Sequence, residues 1–204
     1  ESAEDLEGSR IGVQMGTVSD IYVSDFEGDE AGTEITRFSS NNDAVEALKQ
    51  GKIDCFVLDE QPALAFAENN PTLRILDEEF SLEDYAIVVA KGNDQLLADI
   101  NSALAEVKAE GTLEKILDTY INKKGDFHYK QTVTDGEPLV MATNATFPPY
   151  EYYEGSTPVG IDVEMSYAIA DKLGRTITIE DMDFDAIINS VSSGKADIGV
   201  AGFT

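Results

Sequence analysis

Asp43-Ala44-Val45-Glu46-Ala47-Leu48-Lys49-Gln50-Gly51-Lys52-Ile53-Asp54-Cys55-Phe56-Val57-Leu58 reads as a short amphipathic helix, a glycine stop and an apolar strand. Ala44, Val45 and Leu48 fall on one helical face, and Gly51 ends the helix. The same plan returns at Asp185-Ala186, a helix, then Gly194-Lys195-Ala196-Asp197 and the strand Ile198-Gly199-Val200. The second helix is one residue longer. Upstream of each copy stands a strand ending in a threonine-containing loop, Gln14-Met15-Gly16-Thr17 in one and Thr143-Asn144-Ala145-Thr146 in the other. The echo implies two lobes of one design, with strand ends available for a shared cleft, because open parallel sheets bind ligands at the carboxyl ends of their strands.

Outward from the echo, short apolar runs alternate with helical stretches, which predicts an α/β fold whose lobes are mainly parallel sheets flanked by helices. The spacing predicts strands at Arg10 to Met15, Ile53 to Leu58 and Tyr85 to Ala90. It predicts helices through Ile21-Tyr22-Val23 and over Asn42 to Gln50, Pro62 to Glu68, Gln95 to Lys108 and Leu113 to Ile121. Tyr85 to Ala90 reads as a strand travelling between lobes. The polar stretch Asn122 to Pro138, with Gly125 and Gly136, reads as a linker, and a second α/β run begins at Leu139.

A formal charge of −26 argues against nucleic acid or an anionic lipid surface as partner, since both need clustered Lys and Arg. Its plain reading is a solvated surface. Cys55 is the only cysteine, so no intramolecular disulfide forms, and no CxxC or HExxH spacing points to a metal. Within Cys55-Phe56-Val57-Leu58 that thiol reads as a small buried hydrophobe. His128, the only histidine, lies in a polar stretch and is expected to face solvent without a catalytic partner. No run reaches the roughly 18 apolar residues of a membrane span. The start at Glu1-Ser2-Ala3-Glu4-Asp5 is not a signal peptide and reads as the edge of an excised piece.

Leu139-Val140-Met141-Ala142-Thr143-Asn144-Ala145-Thr146-Phe147-Pro148-Pro149-Tyr150-Glu151, followed by Val159-Gly160-Ile161-Asp162-Val163-Glu164, resembles the amino-terminal signature of the amino-acid-binding proteins that feed ABC importers, bacterial solute-binding protein family 3. Asp183-Phe184-Asp185, Ser193 to Asp197 and Gly202-Phe203-Thr204 continue the likeness, and residues 1–122 resemble the family's second half. The order is therefore inverted, as in a circular permutation or a cut across the junction of a tandem protein. The resemblance implies a two-lobed type II periplasmic-binding-protein fold. Residues 1–82 would be the second lobe, 83–121 the crossover strand and carboxyl-terminal helices of the first lobe, 122–138 the linker, and 139–204 the start of the first lobe.

It also implies a ligand set. Gly202, Thr204 and the Gly16-Thr17 loop would hold a ligand carboxylate, Asp59 would accept its ammonium, and Phe147 and Phe184 would sandwich its side chain. Asn144 stands where relatives for cationic or amide ligands carry Asp, and Gln14 where some carry Lys, which leans towards a neutral polar amino acid. Each residue has a plainer reading: Phe147 and Phe184 as core aromatics, Asp59 as a solvated charge or helix cap, Thr17 as a helix cap. The expected function is capture of a free amino acid outside the cell or in the periplasm, for ABC permease subunits, with no cofactor, metal or catalysis. A receptor's sensing domain of the same fold is the main alternative, and a dehydratase-like enzyme a remoter one. The family's carboxylate-binding arginine lies beyond Thr204 by this resemblance. The piece is therefore expected to bind weakly and to self-associate or exchange lobes through an unpaired sheet edge.

Overall fold

A computed structural model describes residues 6–28, 30–76, 82 and 84–204. The chain divides into two compact units, 1–85 with 183–185 and 204, and 86–182 with 186–203. The predicted starts of both the first lobe segment, at 83, and the chain itself fall on residues outside those described.

In the first unit the order is β1 (Arg10–Gln14), α1 (Val18–Ser24), β2 (Glu34–Phe38), α2 (Asn41–Lys49), β3 (Cys55–Phe56) and α3 (Glu60–Asn69). The three strands lie parallel in the order β2-β1-β3. Alternation along β1 serves two faces. Ile11 and Val13 join Leu6 and Val23 in one buried cluster, flanked by Phe26, Ile35 and Val57. Gly12 faces the other way, where an added Cβ would overlap Ile53 Cδ1 and crowd Phe38 Cε2 at 3.2 Å. That close approach explains a glycine in mid-strand. The predicted strand Ile53 to Leu58 shrinks to Cys55–Phe56, and β2 is a strand that the apolar pattern does not predict. Cys55 is half-buried, and burial pushes its thiol up to about 11, which leaves it inert.

The second unit runs β4 (Val88–Val89), α4 (Asp94–Ala109), α5 (Thr112–Tyr120), β5 (Pro138–Thr143), β6 (Thr146–Phe147), β7 (Glu151–Glu154), β8 (Thr157–Val159), α6 (Ile161–Lys172), β9 (Thr176–Asp181), α7 (Phe184–Ser192) and β10 (Ile198–Gly199). Its main sheet has the order β4-β10-β5-β9, parallel except for β4. The travelling strand expected over Tyr85 to Ala90 is only Val88–Val89, with Ala86 N–H adding one bond to Phe203 O at 2.9 Å. A small antiparallel sheet, β6-β7-β8, covers the chain between β5 and α6. Leu96, Ile100, Ala103 and Val107 of α4 share one core with Leu139 and Met141 of β5, Ala168 and Ile169 of α6, and Ile198 of β10. Helical periodicity of the α4 side chains supplies that face. The segment 122–138 forms no regular element before Pro138, yet it is hydrogen-bonded along its length to α6 and β9.

The echo in the sequence has one structural meaning. After α2, Gly51 takes the left-handed conformation (φ +67°), and Gly194 does the same past α7 (φ +75°). The aspartate three residues on then clips the parallel strand beside the one it leads into. Asp54 N–H donates to Arg10 O (2.7 Å) while its carboxylate accepts Arg10 N–H (2.9 Å). Asp197 N–H donates to Val140 O (2.9 Å) while its carboxylate accepts Val140 N–H (2.8 Å). A guanidinium closes each clip, Arg10 on Asp54 and Arg175 on Asp197 at 3.4 Å. Hydrogen bonds from the Arg10 side chain and backbone draw the Asp54 carboxyl down to about 2. Replacing Asp197 by Ala is expected to cost about 1 kcal/mol, discounted for its partial exposure. Urea denaturation checks this, and an unchanged midpoint would show that the strand keeps its register without the clip.

Candidate functional site

In both units the residues singled out by sequence follow the carboxyl ends of parallel strands. Gln14 ends β1, Gly16 and Thr17 follow it and Asp59 follows β3; Asn144 and Phe147 follow β5, Phe184 follows β9, and Gly202 and Thr204 follow β10. Such ends are where open α/β sheets take ligands.

Within the first unit, Gly16 is exposed with φ +79° and leads into α1, whose N-cap is Thr17. The Thr17 hydroxyl donates to Gln14 O (2.8 Å) and accepts Asp20 N–H (3.3 Å), so the capping role is real. Gly16 N–H already donates to Asp20 Oδ2 at 2.9 Å, and Arg37 Nε holds the other oxygen at 2.8 Å. An internal carboxylate thus stands at the amide for which a ligand carboxylate was expected. Gln14 is buried, its amide donating to Ser39 O (3.2 Å) and accepting from Asn41 Nδ2 (3.0 Å), where it ties β1 to the start of α2.

Asp59 is half-buried at the N-cap position of α3 but makes no side-chain cap bond. Its carboxylate instead accepts the phenol of Tyr85. Sequence reasoning missed Tyr85 as a site residue. A hydrogen bond across 26 positions leaves no local signature.

In the second unit Asn144 is buried and its amide donates to Met182 O (2.8 Å) while its carbonyl accepts the Thr146 hydroxyl (2.7 Å). That employment braces the β5 and β9 ends. Phe147 is buried and stacks on Tyr150 at 5.7 Å, and Gly202 is half-buried. Phe184 and Thr204 are grouped with the first unit; Phe184 is buried at the start of α7 and Thr204 is exposed.

The start of α6 fixes the loop that carries Phe147. Asp162 N–H donates to Tyr150 O (2.9 Å) and Ile161 N–H to Pro149 O (3.1 Å). Gly160, at φ +123°, permits this approach, because a Cβ there would overlap Tyr150 O. Beneath the loop Glu151 and Asp162 share a hydrogen bond out of reach of water. Burial, then the charges of Asp162 and Asp181, lift the Glu151 carboxyl well above the usual range. Burial likewise lifts Asp162 to about 6, against the pull of the Glu151 bond. Among the described residues Glu151 Oε2 has no partner, as suits a protonated acid donating through one oxygen. His128, expected to face solvent without a catalytic partner, is exposed, and its Nδ1 lies 2.8 Å from Glu164 Oε1. No cluster of His, Cys, Asp and Glu among the described residues could hold a metal ion.

The sequence matches the family model for bacterial extracellular solute-binding proteins, family 3, over residues 29–123 and 139–204. It is 42% identical over 66 residues to the arginine-binding extracellular protein ArtP of Bacillus subtilis, covering 32% of this chain and 26% of that one. It is 29% identical to the L-cystine-binding protein TcyJ of Escherichia coli over 57% of this chain and 43% of that one. A solved ancestral arginine-binding protein bound to arginine is 40% identical with a TM-score of 0.55, covering 59% of this chain and 54% of that one. The chain thus spans a quarter to a half of the curated relatives it matches.

The second unit supports two expected outcomes. Asn144→Ala should destabilise it by about 1–3 kcal/mol in urea, since Met182 O and Thr146 Oγ1 lose a buried partner. Because Glu151 and Asp162 titrate above their ordinary values in the folded chain, their stabilisation is full below about pH 4 and lost as pH rises through about 6 and beyond. Urea midpoints should therefore fall from pH 5 to pH 8, and less steeply in Glu151→Gln, which keeps a neutral donor. A wild-type protein more stable at pH 8 than at pH 5 would contradict the protonated pair.

Proposed function

Because this chain belongs to the bacterial extracellular solute-binding proteins, family 3, we propose that it captures a free amino acid outside the cytoplasm, at the cell surface or in the periplasm, and presents it to ABC permease subunits. It is a binding protein and not an enzyme. The observation that carries the reading is the gathering of the candidate residues past the carboxyl ends of the parallel strands in both units.

The ligand we propose is a basic or sulfur-containing amino acid. The relatives' printed ligands, arginine and cystine, support that class. The lean towards a neutral polar side chain rests on Asn144 and Gln14, whose amides are engaged with Met182 and Thr146 and with Ser39 and Asn41. Asp59 accepts the ligand ammonium, and the Tyr85 phenol holds that carboxylate in place. Thr17, Gly202 and Thr204 supply donors for the ligand carboxylate, and Asp20 yields Gly16 N–H to it when ligand arrives. Phe147 and Phe184 provide apolar walls. Residues 1–82 act as the family's second lobe, and 139–204, with 83–121, as its first, in permuted order.

Calorimetric titration of the intact protein with arginine, cystine and glutamine tests the reading. Arginine or cystine should bind most tightly, and Asp59→Ala should weaken that binding by about 2–5 kcal/mol because it strands a buried ammonium. Tyr85→Phe should cost about 1 kcal/mol. Tightest binding of glutamine would overturn the ligand class, and unchanged affinity in Asp59→Ala would place the ammonium elsewhere.

A further inference from the structure

The segment that sequence composition marks as a linker is seated like a bound peptide. At its start the Thr119 hydroxyl donates to Phe127 O (2.9 Å), Lys115 Nζ sits 5.7 Å over the Phe127 ring, and the Tyr120 and His128 rings meet edge to face at 5.7 Å. Glu164, buried on α6, then gathers three donors: the Tyr120 phenol (2.7 Å) and His128 Nδ1 (2.8 Å) at one oxygen and Tyr129 N–H (2.7 Å) at the other. Asp171 gathers the next group, Thr132 N–H and hydroxyl (both 2.8 Å), Val133 N–H (2.9 Å) and the Tyr129 phenol (2.9 Å). Burial alone would raise the Asp171 carboxyl, yet the Val133 and Thr132 amides hold it below the usual range.

The spacing is what a docking groove requires. Glu164 and Asp171 stand two turns apart on one face of α6, about 10.5 Å along its axis. Tyr129 N–H meets the first carboxylate, and the consecutive Thr132 and Val133 N–H groups meet the second. The two acids therefore hold the segment at two points along α6. Between them Gln131 turns to β9: its Oε1 accepts Ile177 N–H and its Nε2 donates to Arg175 O, both at 3.1 Å. A neighbouring parallel strand makes that same pair of bonds around Thr176. One side-chain amide thus stands in for a strand at the start of the β9 edge.

We propose that the seam between α6 and β9 is a peptide-binding groove whose ligand is the chain's own segment 127–133, and that this docking clasps α5 to α6 and covers the beginning of the β9 edge. The groove recognises backbone amides through Glu164 and Asp171, and the phenol of Tyr129 through Asp171, and it needs no particular residue at Lys130.

Residue-resolved hydrogen exchange on the intact protein tests the clasp. The amides of Tyr129, Thr132, Val133 and Ile177 should exchange at least about a hundredfold more slowly than free peptide. In Asp171→Asn, exchange of the segment and of α5 should rise about tenfold or more while β5 stays protected. If that variant unfolds the whole unit, Gln131→Ala provides the second reading: Ile177 should lose protection, and sedimentation should show increased self-association through the freed edge. Unprotected segment amides in the wild type, α5 exchange unmoved in a folded Asp171→Asn, or Ile177 unmoved in Gln131→Ala would each overturn the proposal.

Discussion

A carboxylate that grips a strand in its first half sets the geometry of both units. Asp54 holds Arg10 and Asp197 holds Val140 by the same pair of backbone bonds, and in each case a left-handed glycine three residues earlier turns the chain into place. Once one residue is fixed, the alternation of a strand decides which side chains enter which face. A slip of one residue would carry Ile11 and Val13 out of their cluster, and Leu139 and Met141 out of theirs. It would also move the loops at the far strand ends, so the candidate ligand residues depend on a contact at the opposite end of their strands.

Legibility in the sequence tracks how local each cause is. The helix, glycine and strand of the echo are local, and they identify the two α/β units. Edge strand β2 is harder, because Glu34 and Arg37 dilute the apolar signal of Ile35 and Phe38 in a strand with no fully buried residue. The candidate loops are legible by resemblance, but their side-chain employment is not. Asn144 serves Met182, Gln14 serves Asn41 and Ser39, and Tyr85 serves Asp59, each across 25 or more positions. The docked segment is the least visible. Three of its bonds come from backbone amides, which every residue but proline carries, and the acids that receive them read from sequence as ordinary surface charge.

Acidity in this chain therefore has two kinds of use. Most of the charge of −26 is displayed to water. A few acids are buried and put to work: Glu151 and Asp162 as a hydrogen-bonded pair under the Phe147 loop, and Glu164 as a hub for two helices and a strap. A buried acid is tolerated only where it is protonated or supplied with donors, and these residues show both solutions.

The way α6 is enclosed bears on the order in which the chain can fold. Its buried residues occur around the helix, from Ile161 to Ala170, and it packs with α4, α5, β7, β8 and β9. The β4 to β10 pairing closes Val89 onto Ile198, whereas every strand of the first unit lies between Arg10 and Phe56. The first unit can thus collapse on short loops, while α4 and α5, amphipathic, need strands far along the chain to cover them. Rates of formation should differ accordingly, the first unit quick and the second limited by a long loop closure.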